Sequence, residues 1–411
     1  MNTIPPNPFH ARRAPQTGLT VVEIMVAVTI SLILLAGVLQ IFISSRGAYR
    51  LQQGLSRLQE NGRFAMNFLV KDIRMAGYMG CVKSSPNSIS STLFNPSSFE
   101  NNFSVSIQGY EFNGTGPGAN YTLTAADPAP DASTADWTPT LDASLQGKVL
   151  PGTDVIVIRR MSNQGTELVP PYTNAAQLFA AYTPTGTCPG GSASYDGMCN
   201  GDVVMVSDCA KSRVFQITNL QPTGGNTAVN VVHAGNGSQG NSPTAWGGAA
   251  DPGGGFGQGA QLAKAETIVY YVGQAGFDRS GNTCPPAKDC PPALYSMVNG
   301  GTPQELVDEV ENMQILYGVD TDGDGVANQY TTADIVNNNN AWGNVVSVRI
   351  SLLLRTPANV TNTPDTNTYL LTGNTPAGAT KITPYAPSAS DRDLRMRHVF
   401  TTTIKIRNRG S

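Results

Sequence analysis

Charge and histidine are both scarce in this sequence. Only 13% of its 411 residues are Asp, Glu, Lys or Arg, about half the share usual in soluble domains. The formal net charge is −3, so no whole-chain field steers it towards nucleic acid or an anionic surface. There are three histidines, His10, His233 and His398, and no Cys-x-x-Cys pair, which removes the usual zinc spacings. A Gly-x-Ser-x-Gly elbow, a His-Glu-x-x-His helix and a phosphate loop are all missing. "GNGSQG" at 235–240 has the letters of a dinucleotide site, but "NSPTAWGG" behind it cannot open the helix such a site needs. The expectation is a protein that is not an enzyme.

Glycine (43) and proline (28) are plentiful, and six cysteines are present. Together these point to a β-rich, loop-heavy domain outside the cytoplasm, where an even set of cysteines forms disulfides. Six cysteines allow 15 pairings. Cys188 and Cys199 are close enough in sequence to bridge a loop, as are Cys284 and Cys290, which leaves Cys81 for Cys209.

There is one long hydrophobic run. Ile24 to Ile43, "IMVAVTISLILLAGVLQIFI", contains no charge; as a helix it spans ~30 Å, the thickness of a bilayer's hydrocarbon core. Arg12 and Arg13 precede it with no acid nearby, so residues 1–18 are expected in the cytoplasm and the remainder across the membrane. A secretory signal would have a small-residue cleavage site after its apolar stretch, whereas Gly18 comes before this one. Glu23 lies at the edge of the run, where an ionised carboxylate is costly unless it is paired or reaches water.

Gly18, Leu19 and Glu23 together resemble the leader of type IV pilins and of the pseudopilins of type II secretion. The resemblance implies that a prepilin peptidase cuts between Gly18 and Leu19 and methylates the new amine of Leu19. Glu23 would then pair with a neighbouring subunit's N-terminal amine as the filament assembles. A buried anion is tolerated when a cation meets it, and such a pair also sets register. Leu19 departs from the phenylalanine that many relatives carry at this position, and the helix-breaking proline of many major pilins is absent.

Beyond the run, Leu51, Leu55, Leu58, Ala65, Leu69 and Ile73 recur at helical steps, with Gly77 as a stop. Gly47, Gly54 and Gly62 weaken this half by ~1 kcal/mol each relative to alanine, so packing must hold it. From Tyr78 the pattern becomes strand-like, at 152–160, 201–220 (a hairpin turning near Ala210 to Ser212), 266–273, 344–356 and 397–408. A helix is predicted over 302–314, with Thr302 as cap, Pro303 in the first turn, Glu305 closing the capping box, and Leu306, Val310 and Met313 as its apolar face. Segments 84–150, 161–200, 221–262 and 357–390 read as long loops. "MAGYMGC" (75–81), "VSDCAKSRVFQIT" (206–218) and "VENMQILYGVDTDGDG" (310–325) are similar to parts of the PilW family of minor type IV pilins. That resemblance implies a subunit helping to initiate and cap a pilus, with other minor pilins, the major pilin and a tip adhesin as partners.

Two further stretches bear on ligands. In "DTDGDGVANQY", Asp320, Asp322, Asp324 and Asn328 occupy positions one, three, five and nine of a calcium loop, with Gly325 at the sixth. The twelfth position, where a bidentate glutamate belongs, is Thr331, and an acidic hairpin turn is an equally natural reading. Arg392, Arg395, Arg397, His398, Lys405, Arg407 and Arg409 make the C-terminus basic. Without interleaved aromatics beyond Phe400 they read as a solvated, cation-protected strand edge rather than a nucleic-acid site.

The expected fold is α+β and type IV pilin-like. It has a leader (1–18), a spine helix (19–77, transmembrane over about 24–43) and a disulfide-stapled, mainly antiparallel β domain with long loops (78–411). The expected function is a minor pilin that waits in the inner membrane, its C-terminal domain periplasmic, before reaching the pilus. The alternatives are a minor pseudopilin of type II secretion and a calcium-dependent adhesin or DNA-binding pilus subunit.

Overall fold

The computed structural model describes residues 18, 20–82, 89–125, 127–130, 133–172, 177–235, 240–242, 255–277, 283–284, 290–385 and 393–409. Leu19, His10, Arg392, the interior of the 235–240 motif and most of the glycine-rich stretch from Ala245 lie outside them. The chain divides into two units, 1–53 and 54–411.

Helix α1 (Val21–Arg74) runs for 54 residues. In the first unit its apolar side chains stand exposed, from Val21 to Ile43. None of its most apolar window is buried, and it is long and apolar enough to cross a membrane.

In the second unit the rest of α1 buries Gly54, Leu58, Gly62, Ala65, Leu69 and Ile73. Steps of four and three residues put these on one face. The two glycines belong to that face because the sheet beneath comes close. A Cβ at Gly62 would collide with the Phe400 ring, and one at Gly54 would lie 2.9 Å from Val360 Cγ1. Glycine's propensity cost is therefore exchanged for contact. The helix stops at Arg74, and Gly77 (φ 71°) turns the chain so that its N–H donates to Arg159 O at 3.0 Å.

The largest sheet has nine strands. Gln261–Gln274 lies at its centre, antiparallel to Val155–Glu167 over most of its length and to Pro292–Val298 over its C-terminal half. Its first four residues pair with Val203–Ser207, which forms a hairpin with Ser212–Gln216. A second sheet, of four strands, runs in the order Gln329–Thr331, Val310–Val319, Val345–Arg355, Arg397–Lys405. Among the described residues there are also two three-stranded sheets and one two-stranded sheet. Among the described residues, all but two of the strand pairings are antiparallel. One core joins the α1 face to both large sheets, with Ile107, Ile156, Ile315, Leu352 and Ile404 among its members. Disulfides link Cys81 to Cys209, Cys188 to Cys199 and Cys284 to Cys290.

Two expectations are corrected. Residues 302–314 are not helical: they form Gln304–Asp308 and the start of Val310–Val319, broken at Glu309 with φ 58°. Leu306, Val310 and Met313 have helical spacing, but every residue of Val310–Val319 is buried. A helix there would bury one stripe, whereas a strand covered on both faces buries all ten. Glu305, rather than closing a capping box, accepts from Gly276 N at 2.9 Å and Tyr295 OH at 3.1 Å. The supposed loops also contain short strands such as Ile107–Phe112 and Ala228–Val232. The long central strands reach into them, to Glu167 and from Gln261. The turn residues that flank these short runs masked them in the sequence.

The two large sheets meet at residues 152–154. Gly152 O accepts from Asn312 Nδ2 and Gln314 Nε2, both at 2.8 Å, and Asp154 accepts from Ile315 N at 2.8 Å and Phe112 N at 3.3 Å. Glu111, 5% exposed, points into the same region; its Oε1 accepts from Thr115 Oγ1, while its Oε2 and the buried Tyr317 hydroxyl have no hydrogen-bond partner among the described residues. Burial, then the charge of Asp154, holds the Glu111 carboxyl well above its ordinary range. Burial pushes Asp154 up to about 8 against the two backbone donors.

Two outcomes follow from this packing. Gly62→Ala should destabilise the full-length protein in detergent by about 1–3 kcal/mol through overpacking against Phe400. Gly47→Ala, where a Cβ meets nothing within 4 Å, should not lower the melting temperature. The second concerns pH. A carboxyl whose pKa is raised on folding favours the protonated native state. Its contribution is complete below the unfolded value near 4 and is lost as pH rises through the folded one. Melting temperature should therefore fall between pH 5 and pH 8, and Glu111→Gln should flatten that fall; an unchanged slope in the variant would remove Glu111 from this role.

Candidate functional site

Glu23 occupies the first turn of α1. Its Oε2 accepts from Thr20 N and Thr20 Oγ1, both at 3.0 Å, and its own N–H donates to Thr20 Oγ1 at 3.3 Å. This reciprocal arrangement is a capping box, which satisfies backbone donors at the helix start. The sequence offered a local reason for Glu23 that had gone unread: a threonine three residues ahead of it. Gly18 precedes the helix and has open space around it.

The acidic loop follows Val310–Val319, so a strand leads into it. Carboxylate oxygens of Asp320, Asp322 and Asp324 lie within 4.8 Å of one another. Asp320 is the hub. It accepts from the N–H groups of Gly323 at 2.6 Å, Gly325 at 2.8 Å and Asp322 at 3.2 Å. The Gly323 and Gly325 donors hold its carboxyl below the ordinary range. Both glycines have positive φ, 83° and 80°, which lets their amides converge on one side chain. Asn328 faces inward. Its Oδ1 accepts from Thr321 N and Oγ1, and its Nδ2 donates to Asp322 Oδ2 at 3.1 Å. Three converging carboxylates supply the hard oxygen donors that calcium prefers. The Asn328 oxygen is committed to Thr321, and Thr331 belongs to the strand Gln329–Thr331, paired with Tyr317.

The C-terminal cations divide into two groups. His398, Lys405 and Arg407 are exposed, as a solvated edge requires, whereas Arg395 and Arg409 are half-buried and depart from that reading, Arg409 donating to Trp342 O and Ser106 Oγ. Arg397 is 5% exposed and overturns that reading at its own position. Its guanidinium meets Glu311 at 2.6 and 2.8 Å and also Asp393. Arg355, 1% exposed, meets Glu309, Glu311 and Asp127. Burial opposes the charge on Arg397, but Glu311 and Asp393 more than offset it and hold the guanidinium above its ordinary pKa. Removing one partner of such a buried pair typically costs about 3–5 kcal/mol, because the other charge is left uncompensated. Sequence reasoning missed this cluster. The available signal was Glu309 and Glu311 inside an otherwise apolar run, which need cations once the run is buried.

The geometry is that of an α+β protein with one apolar helix able to enter a bilayer and a disulfide-linked, largely antiparallel domain. Residues 270–408 match the family model described as Type IV Pilus-assembly protein W, and this supports involvement in type IV pilus assembly. The matched region contains the acidic loop, the Arg355–Arg397 cluster apart from Asp127, and the C-terminal strand. Of the three stretches that carried the resemblance, only Val310–Gly325 falls within it. No curated protein and no solved structure matches the chain.

Proposed function

We propose that this chain is a minor pilin, a structural rather than catalytic subunit that takes part in initiating type IV pili and stands at or near the tip. The observation that carries the reading is the pairing of an exposed apolar helix, bearing one acid in its first turn, with a domain that matches a pilus-assembly family. Before assembly the helix sits in the inner membrane with residues 1–18 cytoplasmic and the disulfide-bearing domain periplasmic. Prepilin peptidase cuts between Gly18 and Leu19 and methylates the new amine. In the filament the helix exchanges lipid for the helices of other minor pilins and the major pilin, and the domain contacts a tip adhesin.

Glu23 has two tasks in this scheme. In the membrane its carboxylate is occupied by the Thr20 donors. In the filament it exchanges part of that cap for the ammonium of a neighbouring subunit, so desolvation is compensated and axial register is fixed. Mass spectrometry of the chain from its own cells should find a mature N-terminus at methylated Leu19. Glu23→Ala should insert in the membrane yet fail to join pili. Retention of residues 1–18 in pili, or normal incorporation of the variant, would refute the proposal.

A second reading concerns calcium and rests on the convergence of Asp320, Asp322 and Asp324. Calcium would be held by these three and would draw Asn328 off Thr321, stiffening the loop for adhesion. Calorimetry with calcium and the full-length protein in detergent should give a weak binding isotherm that Asp322→Ala with Asp324→Ala abolishes. No heat in the wild type, or the same heat in the double variant, would remove the cation.

A further inference from the structure

The strand Arg397–Lys405 ends the four-stranded sheet, and among the described residues no strand pairs with its outer side. It is nine residues long. Every other described strand that ends a sheet has two to five residues. Natural sheets blunt open edges by shortness, proline, bulges, edge lysines or inward-pointing charge; here the one lysine, Lys405, stands at the strand's last position and leaves Val399 to Thr403 without such protection. Within this strand there is no proline, and its register with Val345–Arg355 runs unbroken from Arg397 to Lys405. By contrast, Gln304–Asp308, at another edge, pairs across a register shift.

The direction of the free backbone groups follows from the bonds just beyond each end. Ile406 N donates to Val346 O at 2.9 Å, and Thr356 N donates to Met396 O at 2.8 Å. In an antiparallel ladder, bonded residues alternate. With this register His398, Phe400, Thr402 and Ile404 face Val345–Arg355, while the N–H and C=O of Val399, Thr401, Thr403 and Lys405 point away from it. The strand is held at both ends. Arg397 is locked to Glu311 and Asp393, Arg407 N donates to Arg74 O at 3.2 Å, and Arg409 donates to Trp342 O. Among the described residues the edge is therefore unbroken, unpaired and pre-ordered, so it loses little entropy of its own when a strand is added.

Its charge selects the occupant. Residues 397–409 contain no Asp or Glu, and neither does Val345–Arg355. His398, Lys405 and Arg407 are exposed along it. We propose that this edge accepts an extended, carboxylate-bearing segment of another protein subunit, which adds a fifth strand to the sheet. Main-chain bonds to Val399, Thr401, Thr403 and Lys405 supply the affinity, and the cations at the C-terminal end select acidic side chains opposite them. The inference rests on the unpaired edge and its charge, not on the pilus reading.

Hydrogen exchange of the full-length chain tests this, read in isolated cell envelopes with their attached filaments and in the detergent-purified protein. The amides of Val399, Thr401, Thr403 and Lys405 should exchange at least about ten-fold more slowly in the envelopes. Thr403→Pro removes an outward donor but no ladder bond. It should keep a near-native melting temperature while the other three amides lose their added protection. Lys405→Glu with Arg407→Glu should also lose it, and Lys405→Arg should keep it. Equal exchange in the two settings overturns the proposal, even if Thr403→Pro fails to fold. So does protection that persists in a folded Thr403→Pro. Protection that survives the charge reversal overturns the acidic occupant. Absence of the chain from pili, with its edge protected in the envelope, would instead count against the minor-pilin reading alone.

Discussion

Burying Val310–Val319 on both faces is the constraint from which the rest of the domain follows. Ten consecutive residues leave water, and three of them, Glu311, Asn312 and Gln314, are polar. Each must find a partner or cost several kcal/mol. Asn312 and Gln314 take the Gly152 carbonyl and so draw the largest sheet against this one. Glu311 takes Arg355 and Arg397, which ties the final strand to the middle of the sheet. The same strand delivers the chain to the acidic loop. Core, clamp and loop are thus consequences of how one strand's polar groups are satisfied.

The clamp has an asymmetric energetic character. A buried guanidinium–carboxylate cluster contributes little net stability over a well-packed apolar replacement, yet losing one member is severe. In the observed register Arg397 lies opposite Arg355 and both guanidiniums reach Glu311. An apolar contact would tolerate a slip of two residues with modest loss; this contact does not.

How much could be read from the letters varies along the chain. The buried face of α1 was legible because Leu58, Ala65, Leu69 and Ile73 keep helical steps, and the hairpin at 203–216 because apolar runs flank a short polar turn. The role of Gly54 and Gly62 was not, since a glycine's cost is local while its benefit lies in Phe400 and Val360, far along the sequence. The failure at 302–314 has a similar origin. Leu306, Val310 and Met313 satisfy a helical period, and only the tertiary cover of Val310–Val319 decides against it. Arg397 looked like its exposed neighbours Lys405 and Arg407 because charge patterning along a strand carries no depth. At the candidate site, the ligand-like spacing of Asp320, Asp322 and Asp324 was visible. The capture of Asn328 by Thr321 depends on loop geometry that spacing does not encode.

The link between Cys81 and Cys209 bears on mechanics. It joins residues 128 apart in sequence, fastening the segment just past α1 to the turn of the hairpin 203–216. A pull on the helix's C-terminal end therefore reaches the nine-stranded sheet through a covalent bond as well as through side-chain packing. Even if the packing of Leu69 and Ile73 gave way, the end of the helix would stay fastened to that hairpin for as long as the disulfide is oxidised.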